Sequence, residues 1–400
     1  MILHVACLPF PSFQGTQAAI AAMLDASVNT GQPTHLLAYA QEGYKLDAPY
    51  EIHRIPDLPK VRSLRSGPSW GKVALDARCV LETRRLARRL RVKAIVAHHI
   101  EAALATLAAR VAPVYYVAHT SLAQELPVYF PALPVGIVGP VGARFERLVR
   151  KRAAGVAAVA PSLARILGHG VGYLPVPWSA QALAPPSRAE SRSALGLADG
   201  AEVCLYAGNL DPYQDWECLI DALVVLRRSH PNVRLLFATE SDPAPAWHQA
   251  RNLGVSDSLS VCRLDGERAR AQAHAASDLS WIPRRTEGGL PIKMLDAFAR
   301  SLPVVAMERA TADMPLRAAC IRVRNDDADA LAAGARRVLE DRDTQAALRE
   351  AGRRYLADEH SSKAFDSAMR RLLGENDGFS AHRDHALSTY APTRAFLDPS

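Results

Sequence analysis

From its first residues the chain alternates short, fully apolar runs with longer segments of helical periodicity, and it does so in two successive series. A strand that is apolar on both faces must be covered on both sides, as in a parallel sheet flanked by helices, so the pattern calls for βαβ units. The first series is expected at Leu3–Leu8, His35–Tyr39, Glu51–Ile55, Ala94–Ala97, Val114–Ala118 and Val156–Ala160. After the proline-rich passage YLPVPW and LAPPSRAE, a second is expected at Val203–Ala207, Arg234–Ala238, Ser258–Val261, Leu279–Ile282 and Val304–Ala306. A chain of 400 residues exceeds what one apolar core usually serves. The expected organisation is therefore two facing Rossmann-like α/β domains, residues 1–173 and 187–357, joined by a linker at 174–186. A helix at 358–373 is expected to return to the first domain, and the tail 374–400, which has no apolar period, is expected to be disordered.

Composition removes several classes of function. The opening MILHVACLPFPS lacks the basic start and cleavage site of a signal peptide, so no export is expected. The longest uncharged stretch, Leu126 to Ala143, could span a bilayer by length, but Pro127, Pro131, Pro134 and Pro140 interrupt it. Six scattered cysteines form no CxxC pair, which argues against a zinc site or a disulfide framework and points to a reducing cytosol. The net charge of +7 suits phosphate-rich ligands, anionic lipid or nucleic acid. Basic residues gather at Arg84, Arg85, Arg88, Arg89 and Arg91, and again at Arg144, Arg147, Arg150, Lys151 and Arg152, interleaved with Leu and Val. Such clusters fit either peripheral contact with the inner membrane surface or a solvated helix face. They lack the interleaved aromatics of a nucleic-acid module, so no nucleic-acid partner is expected.

Ligands of open parallel sheets lie beyond the carboxyl ends of the strands, and between two such sheets the cleft is the place to look. After the first strand, PFPSFQGTQ places Gly15 and Thr16 at a helix start, where free amides suit an anion or a sugar hydroxyl; a plain strand-to-helix turn reads the same way. It is not a GxGxxG fingerprint, so a nicotinamide or flavin is not supported. His98, His99 and Glu101 end the fourth strand, and His119 and Thr120 the fifth. His119 is expected to touch the reacting ligand, and His98 and His99 to contact a ligand or else to serve as caps. No carboxylate or cysteine stands at ligand spacing with them, so no metal is expected. In YAGNLDPYQDWECLIDA, Gly208, Asn209 and Asp211 form either a ligand cradle or a simple helix cap.

The most informative segment is WIPRRTEGGLPIKMLDAFARSLPVVA. Glu287, Gly288, Gly289, Leu290 and Pro291 lead into a helix whose exposed amides and dipole favour a phosphate. Arg284, Arg285 and Lys293 can neutralise two phosphates, arginine by a bidentate fork and lysine as a point charge. Asp296 shares a helix face with Lys293 and can accept ribose hydroxyls.

This segment resembles the family 4 retaining glycosyltransferases of the GT-B fold, whose pattern reads like EGFPLVVLEAMA followed by a small residue and PVVA. Here GGLPIKMLDAFARSLPVVA has Pro291 and the PVVA strand in register and Asp296 at the second acidic position, whereas the first acidic position falls on Gly288, one residue after Glu287. PFPSFQGTQ is similar to the family's first glycine loop, VYYVAHTSL to its strand ending in a sugar-contacting histidine, and YLPVPW to its linker. YAGNLDPYQDWECLIDA is similar to a segment that reads GRLxxxKG in the family, with Asn209 and Gln214 near the places of its basic pair.

The resemblance implies transfer of a sugar from a nucleotide-diphosphate sugar with retention of configuration. Arg284, Arg285 and Lys293 would then supply the diphosphate charge, with no metal or other cofactor. The acceptor is open, in polysaccharide, glycolipid or small-metabolite synthesis. Two other readings fit the same scaffold, a sugar-nucleotide epimerase and an inactive nucleotide-sugar-binding protein.

Overall fold

The computed structural model describes residues 1–12, 14–40, 46, 48–56, 70–130, 132–179 and 186–375. The expected tail lies, from residue 376 onward, outside the described residues, as does the linker stretch 180–185. The first sheet contains β1 (Ile2–Pro9), β2 (Thr34–Tyr39), β3 (Glu51–Ile55), β4 (Ala94–His98), β5 (Val114–Ala118), β6 (Gly155–Ala158) and β7 (Gly172–Tyr173). Its helices are α1 (Gly15–Asn29), α2 (Trp70–Leu90), α3 (His99–Ala109), α4 (Leu122–Tyr129), α5 (Val135–Arg152) and α6 (Pro161–Leu167). The second sheet contains β8 (Glu202–Ala207), β9 (Val233–Thr239), β10 (Leu259–Arg263), β11 (Leu279–Ile282), β12 (Val304–Met307) and β13 (Ile321–Val323). With it go α7 (Arg188–Ala194), α8 (Glu217–Leu226), α9 (Ala244–Asn252), α10 (Glu267–Ala276), α11 (Ile292–Ala299), α12 (Ala328–Glu340) and α13 (Arg342–Glu359). A last helix, α14 (Ser362–Leu373), follows.

Both sheets are parallel throughout, in the orders β3-β2-β1-β4-β5-β6-β7 and β10-β9-β8-β11-β12-β13. Each order reverses direction beside its first strand, which is the doubly wound arrangement. The strands are apolar because helices cover both faces: Leu3, Val5 and Ala6 of β1 and Val203, Leu205 and Tyr206 of β8 are fully buried. The short edge strands β7 and β13 were not expected from the sequence, because two or three residues carry no period.

The uncharged stretch 126–143 supplies the end of α4 and the first half of α5 rather than one long helix. Among the described residues no helix is long and apolar enough to cross a membrane. The chain leaves the first domain after β7 and returns to it at the end: α14 packs on α1, β6 and β7, and Tyr115 Oη donates to the Leu373 carbonyl at 3.2 Å. Between α13 and α14, His360 meets the linker. Its Nδ1 lies 2.7 Å from the Val176 carbonyl, and Trp178 N donates to the His360 carbonyl at 2.9 Å.

Candidate active site

The carboxyl ends of both sheets open on one cleft of about 510 Å³, walled by the loops after β1, β4 and β5 on one side and after β8 to β11 on the other. Gly15 and Thr16 enter it at the start of α1. A Cβ on Gly15 would lie 3.5 Å from Ile292 Cβ, so the first turns of α1 and α11 meet across the domain boundary. Gly15 has no positive φ; its smallness serves close approach rather than a turn.

The wall opposite is built around α11. Gly288 and Gly289 hold φ of +85° and +97°, a region that side chains disfavour, and Arg284 fixes them there. Its Nη1 donates to the Gly289 carbonyl at 3.1 Å and its Nη2 to the Gly288 carbonyl at 3.0 Å. Leu290 and Pro291 line the cleft itself, and Gly288 lines a small adjoining pocket that shares Thr120, Glu125, Tyr129, Tyr213 and Arg284 with it. Arg284 itself lines the cleft and is buried, which lowers its pKa, and its Nε has no hydrogen-bond partner among the described residues.

Lys293, one residue into α11, donates from Nζ to Gln214 Oε1 at 2.8 Å and sits 4.1 Å from the centroid of the Tyr206 ring. Burial and then the Arg284 charge hold its pKa well below the ordinary lysine value, while Asp211 acts the other way. Its amine thus stands beside Gln214, a residue near the place of the lysine in the pattern that this segment resembles. A chain of amides continues from there: Gln214 Nε2 donates to Asn209 Oδ1 at 2.9 Å, and Asn209 Nδ2 to Asp211 Oδ2 at 2.7 Å. Asn209, Asp211 and Gln214 all line the cleft. Neither Arg284 nor Lys293 forms an ion pair among the described residues.

Three further residues expected at the donor or sugar site, Arg285, Glu287 and His98, do not line the cleft. Arg285 points out of the cleft, where Nε donates to Asp215 Oδ1 at 2.9 Å and Nη2 to Glu217 Oε2 at 3.1 Å, pinning the β8 loop to the β11 loop. Glu287 is engaged by Arg165 of α6 at 3.2 Å, in a contact between the domains beside the cleft. His98 is fully buried behind His119 and does not reach the cleft.

The histidines form a file. His4 Nδ1 lies 3.0 Å from His98 Nε2, and His98 Nδ1 lies 3.1 Å from His119 Nε2. His119 lines the cleft, and the His99 ring stacks on it at 4.9 Å. His99, at the β4–α3 junction, holds a φ of +68°, a conformation costly for a side-chain-bearing residue and typical of functional junctions. Burial pushes His4 down to about 3 and His98 and His119 well below the usual imidazole value, with the neighbouring imidazoles adding to it at His98 and His119.

Each neutral ring carries one N–H, so both bonds must run in the same sense. Running outward, they leave a bare lone pair on His4 Nε2, which is buried without a partner. Running inward, they would leave an N–H there, and an orphaned N–H is the rarer and costlier defect. The outward sense gives His119 an Nδ1–H to offer the cleft.

Asp296 also lines the cleft. Arg300 Nε donates to Oδ1 at 3.2 Å, and Arg270 Nε and His274 Nε2 stand 3.7 Å from Oδ2. Burial raises its pKa, but His274, Arg270 and Arg300 together outweigh that and the net shift is downward. The carboxylate is thus held ionised. Residues that sequence reasoning passed over include Glu125 and Tyr129 of α4 and Glu240 and Ser241 after β9. Glu240 and Ser241 could have been found, since they follow an expected strand end.

Two doubly wound parallel-sheet domains facing across a cleft, with cations gathered at one helix start, define the GT-B fold class. Residues 187–378 match the family model described as glycosyl transferases group 1, and the C-terminal domain belongs to that family. The D-inositol 3-phosphate glycosyltransferase of Segniliparus rotundus is 28% identical over 127 residues, 30% of this chain and 28% of that protein. The chain thus spans about three tenths of the length of the curated relatives it matches first. Sucrose-phosphate synthase from Thermosynechococcus elongatus superposes with a TM-score of 0.75 at 16% identity, covering 94% of this chain and 98% of its own. Anabaena HepE, solved in complex with UDP and glucose, gives 0.75 at 16% identity over 94% and 99%. At these identities the likeness is one of fold.

Proposed function

We propose that this chain is a retaining glycosyltransferase that moves a sugar from a nucleoside-diphosphate sugar to an acceptor hydroxyl. The observation that carries the reading is the pair Arg284 and Lys293. Two buried or partly buried cations line an interdomain cleft at a helix start, and no carboxylate pairs with either among the described residues. Buried charge without a counter-charge is unfavourable unless a ligand supplies one, and a diphosphate does.

Departure of the nucleoside diphosphate leaves an oxocarbenium-like sugar and places negative charge on the leaving oxygens. Fixed positive groups stabilise that state more than the ground state. In this reading Lys293, Arg284 and the α11 dipole meet the leaving group, Asp296 accepts ribose hydroxyls, and His119 donates Nδ1–H to the transferred sugar. Gly15, Thr16, Leu290 and Pro291 shape the walls. The acceptor attacks on the leaving-group face and passes its proton to the diphosphate, so no protein nucleophile is assigned. The reading assigns no metal or other cofactor either, the charge being met by side chains and the helix. Glycan or glycolipid assembly in the cytoplasm is the setting, and peripheral contact with a membrane belongs to the same reading, supported by the basic residues of α2 and α5.

The test is a thermal-shift screen with nucleoside diphosphates and their sugars, beginning with UDP, followed by assay of nucleoside diphosphate release. A ligand that binds the folded state raises the melting temperature with concentration. Lys293→Ala is expected to abolish most of that rise and to lower turnover by roughly 10²-fold or more, with the melting temperature of the free protein unchanged or higher. Wild-type turnover in Lys293→Ala removes the residue from the mechanism. A changed sugar still attached to nucleotide, formed without acceptor, would instead establish an epimerase.

A further inference from the structure

The helical hairpin α4–α5 is apolar in the wrong direction for a soluble domain. Of the nine large apolar side chains strongly exposed among the described residues, seven lie between Phe130 and Leu148, so they form a patch rather than a scatter. On α5 the outward positions are Ile137, Val141, Phe145 and Leu148, from 63% to 38% exposed, at the spacing of one helix face. Leu133, just before α5, and Val135, its first residue, are 52% and 67% exposed and extend the patch. The inward face is accounted for: a Cβ on Gly142 would come within 2.8 Å of the backbone of Leu122 and Ala123, so α4 and α5 touch through a glycine. Val138 and Val149 are buried on that side.

Charge on the hairpin is one-sided as well. Arg144, Arg147, Lys151 and Arg152 are exposed on α5. The helix's one acid, Glu146, is turned inward, where it accepts from Ser121 Oγ at 3.0 Å. An apolar stripe flanked by cations and free of outward anions matches a helix lying in the plane of an anionic bilayer surface, its apolar side chains among the acyl chains and its cations at the headgroups.

We infer that the exposed face of α5 docks the protein on a membrane rich in anionic lipid. The consequence for substrate rests on the transferase reading. Helix α4, seated directly on α5, sends Leu122, Glu125, Leu126 and Tyr129 into the cleft on the first-domain side. A bilayer beneath α5 brings a lipid-borne hydroxyl to that side of the cleft, opposite Arg284 and Lys293, and the acceptor is then a lipid-anchored one.

The experiment is co-sedimentation of the full chain with vesicles of phosphatidylcholine, with and without phosphatidylglycerol, at low and high salt. The wild-type protein is expected to sediment with the anionic vesicles, less so as salt rises, and to leave neutral ones largely unbound. The triple variant Ile137→Ser, Val141→Ser, Phe145→Ser is expected to lose roughly tenfold or more of its binding. Arg144→Glu with Arg147→Glu and Lys151→Glu should erase the preference for phosphatidylglycerol. These positions are exposed, and an unchanged nucleoside-diphosphate thermal shift in each variant shows that fold and cleft are intact.

Absence of wild-type binding to anionic vesicles, or equal binding by the triple serine variant, overturns the docking surface. So does concentration-dependent self-association in ultracentrifugation that the same substitutions abolish, because the face would then belong to a second copy. Vesicle binding is read without any turnover, so it can fail while the nucleotide response stands, and the reverse.

Discussion

His4, His98 and His119 stand in line behind a single cleft nitrogen, and their neutrality has measurable consequences. Nitrogen chemical shifts are expected to show all three as neutral Nδ1–H tautomers at pH 6; an Nε2–H tautomer at His119 overturns the outward sense of the file. All three pKa values are depressed in the folded protein, His4 to about 3. Between an unfolded value of about 6.5 and the folded one, the unfolded chain binds more protons, so stability falls as pH drops through that window. Each such histidine forfeits about 1.4 kcal/mol per pH unit. Denaturant melts from pH 7 to pH 4 are expected to show that loss, and His4→Phe should flatten the slope. Much of this residue-level detail was hidden in the sequence. Strand ends bearing His98 and His119 were visible, but a strand's last side chain turns either to the core or to the ligand. His4 could not be paired with His98 across 94 residues without the sheet register.

At the scale of elements, the β11 loop and α11 behave as one unit. Gly289 is wedged so tightly that a Cβ would lie 2.8 Å from Arg284 Nη2 and 3.0 Å from the His119 carbonyl, at a φ of +97°. Gly289→Ala is therefore expected to cost about 1–3 kcal/mol and to weaken nucleotide binding, both readable in one thermal-shift series. A wild-type response would show that the loop can rearrange without loss. Helix α11 is held from behind as well: Phe298 packs edge-on against Tyr355 at 5.8 Å, and a Cβ on Gly352 would come within 2.7 Å of Phe298. This element was the most legible part of the chain, since glycines, proline and a basic residue at a helix start each carry a separate physical reason. The direction of Arg285 was not legible, because its partners Asp215 and Glu217 sit in the β8 loop and at the start of α8, about 70 residues away in the chain.

For the molecule as a whole, the two-sheet organisation could be read from the alternation of apolar runs, whereas the contacts that hold the domains together could not. Arg165 reaches from α6 to Glu287 at 3.2 Å and to Asp313 at 2.5 Å, across 122 and 148 residues of chain. These side chains are about half exposed, so each pair is worth about 0–1 kcal/mol and is weakened by salt. Arg165→Ala is expected to leave the melting temperature nearly unchanged while raising the donor KM by up to roughly fivefold, the most that such an energy gives. The difference from wild type should shrink in high salt. A large drop in melting temperature would make the bridge structural. The polypeptide also passes from one domain to the other twice, once in the linker and once before α14, and the two passages are bonded to each other at Val176, Trp178 and His360. A single tether lets a lobe swivel freely. Two passages of chain tied side by side restrict rotation of one lobe against the other more than a single tether would, and α1 and α11 are already in contact across the boundary.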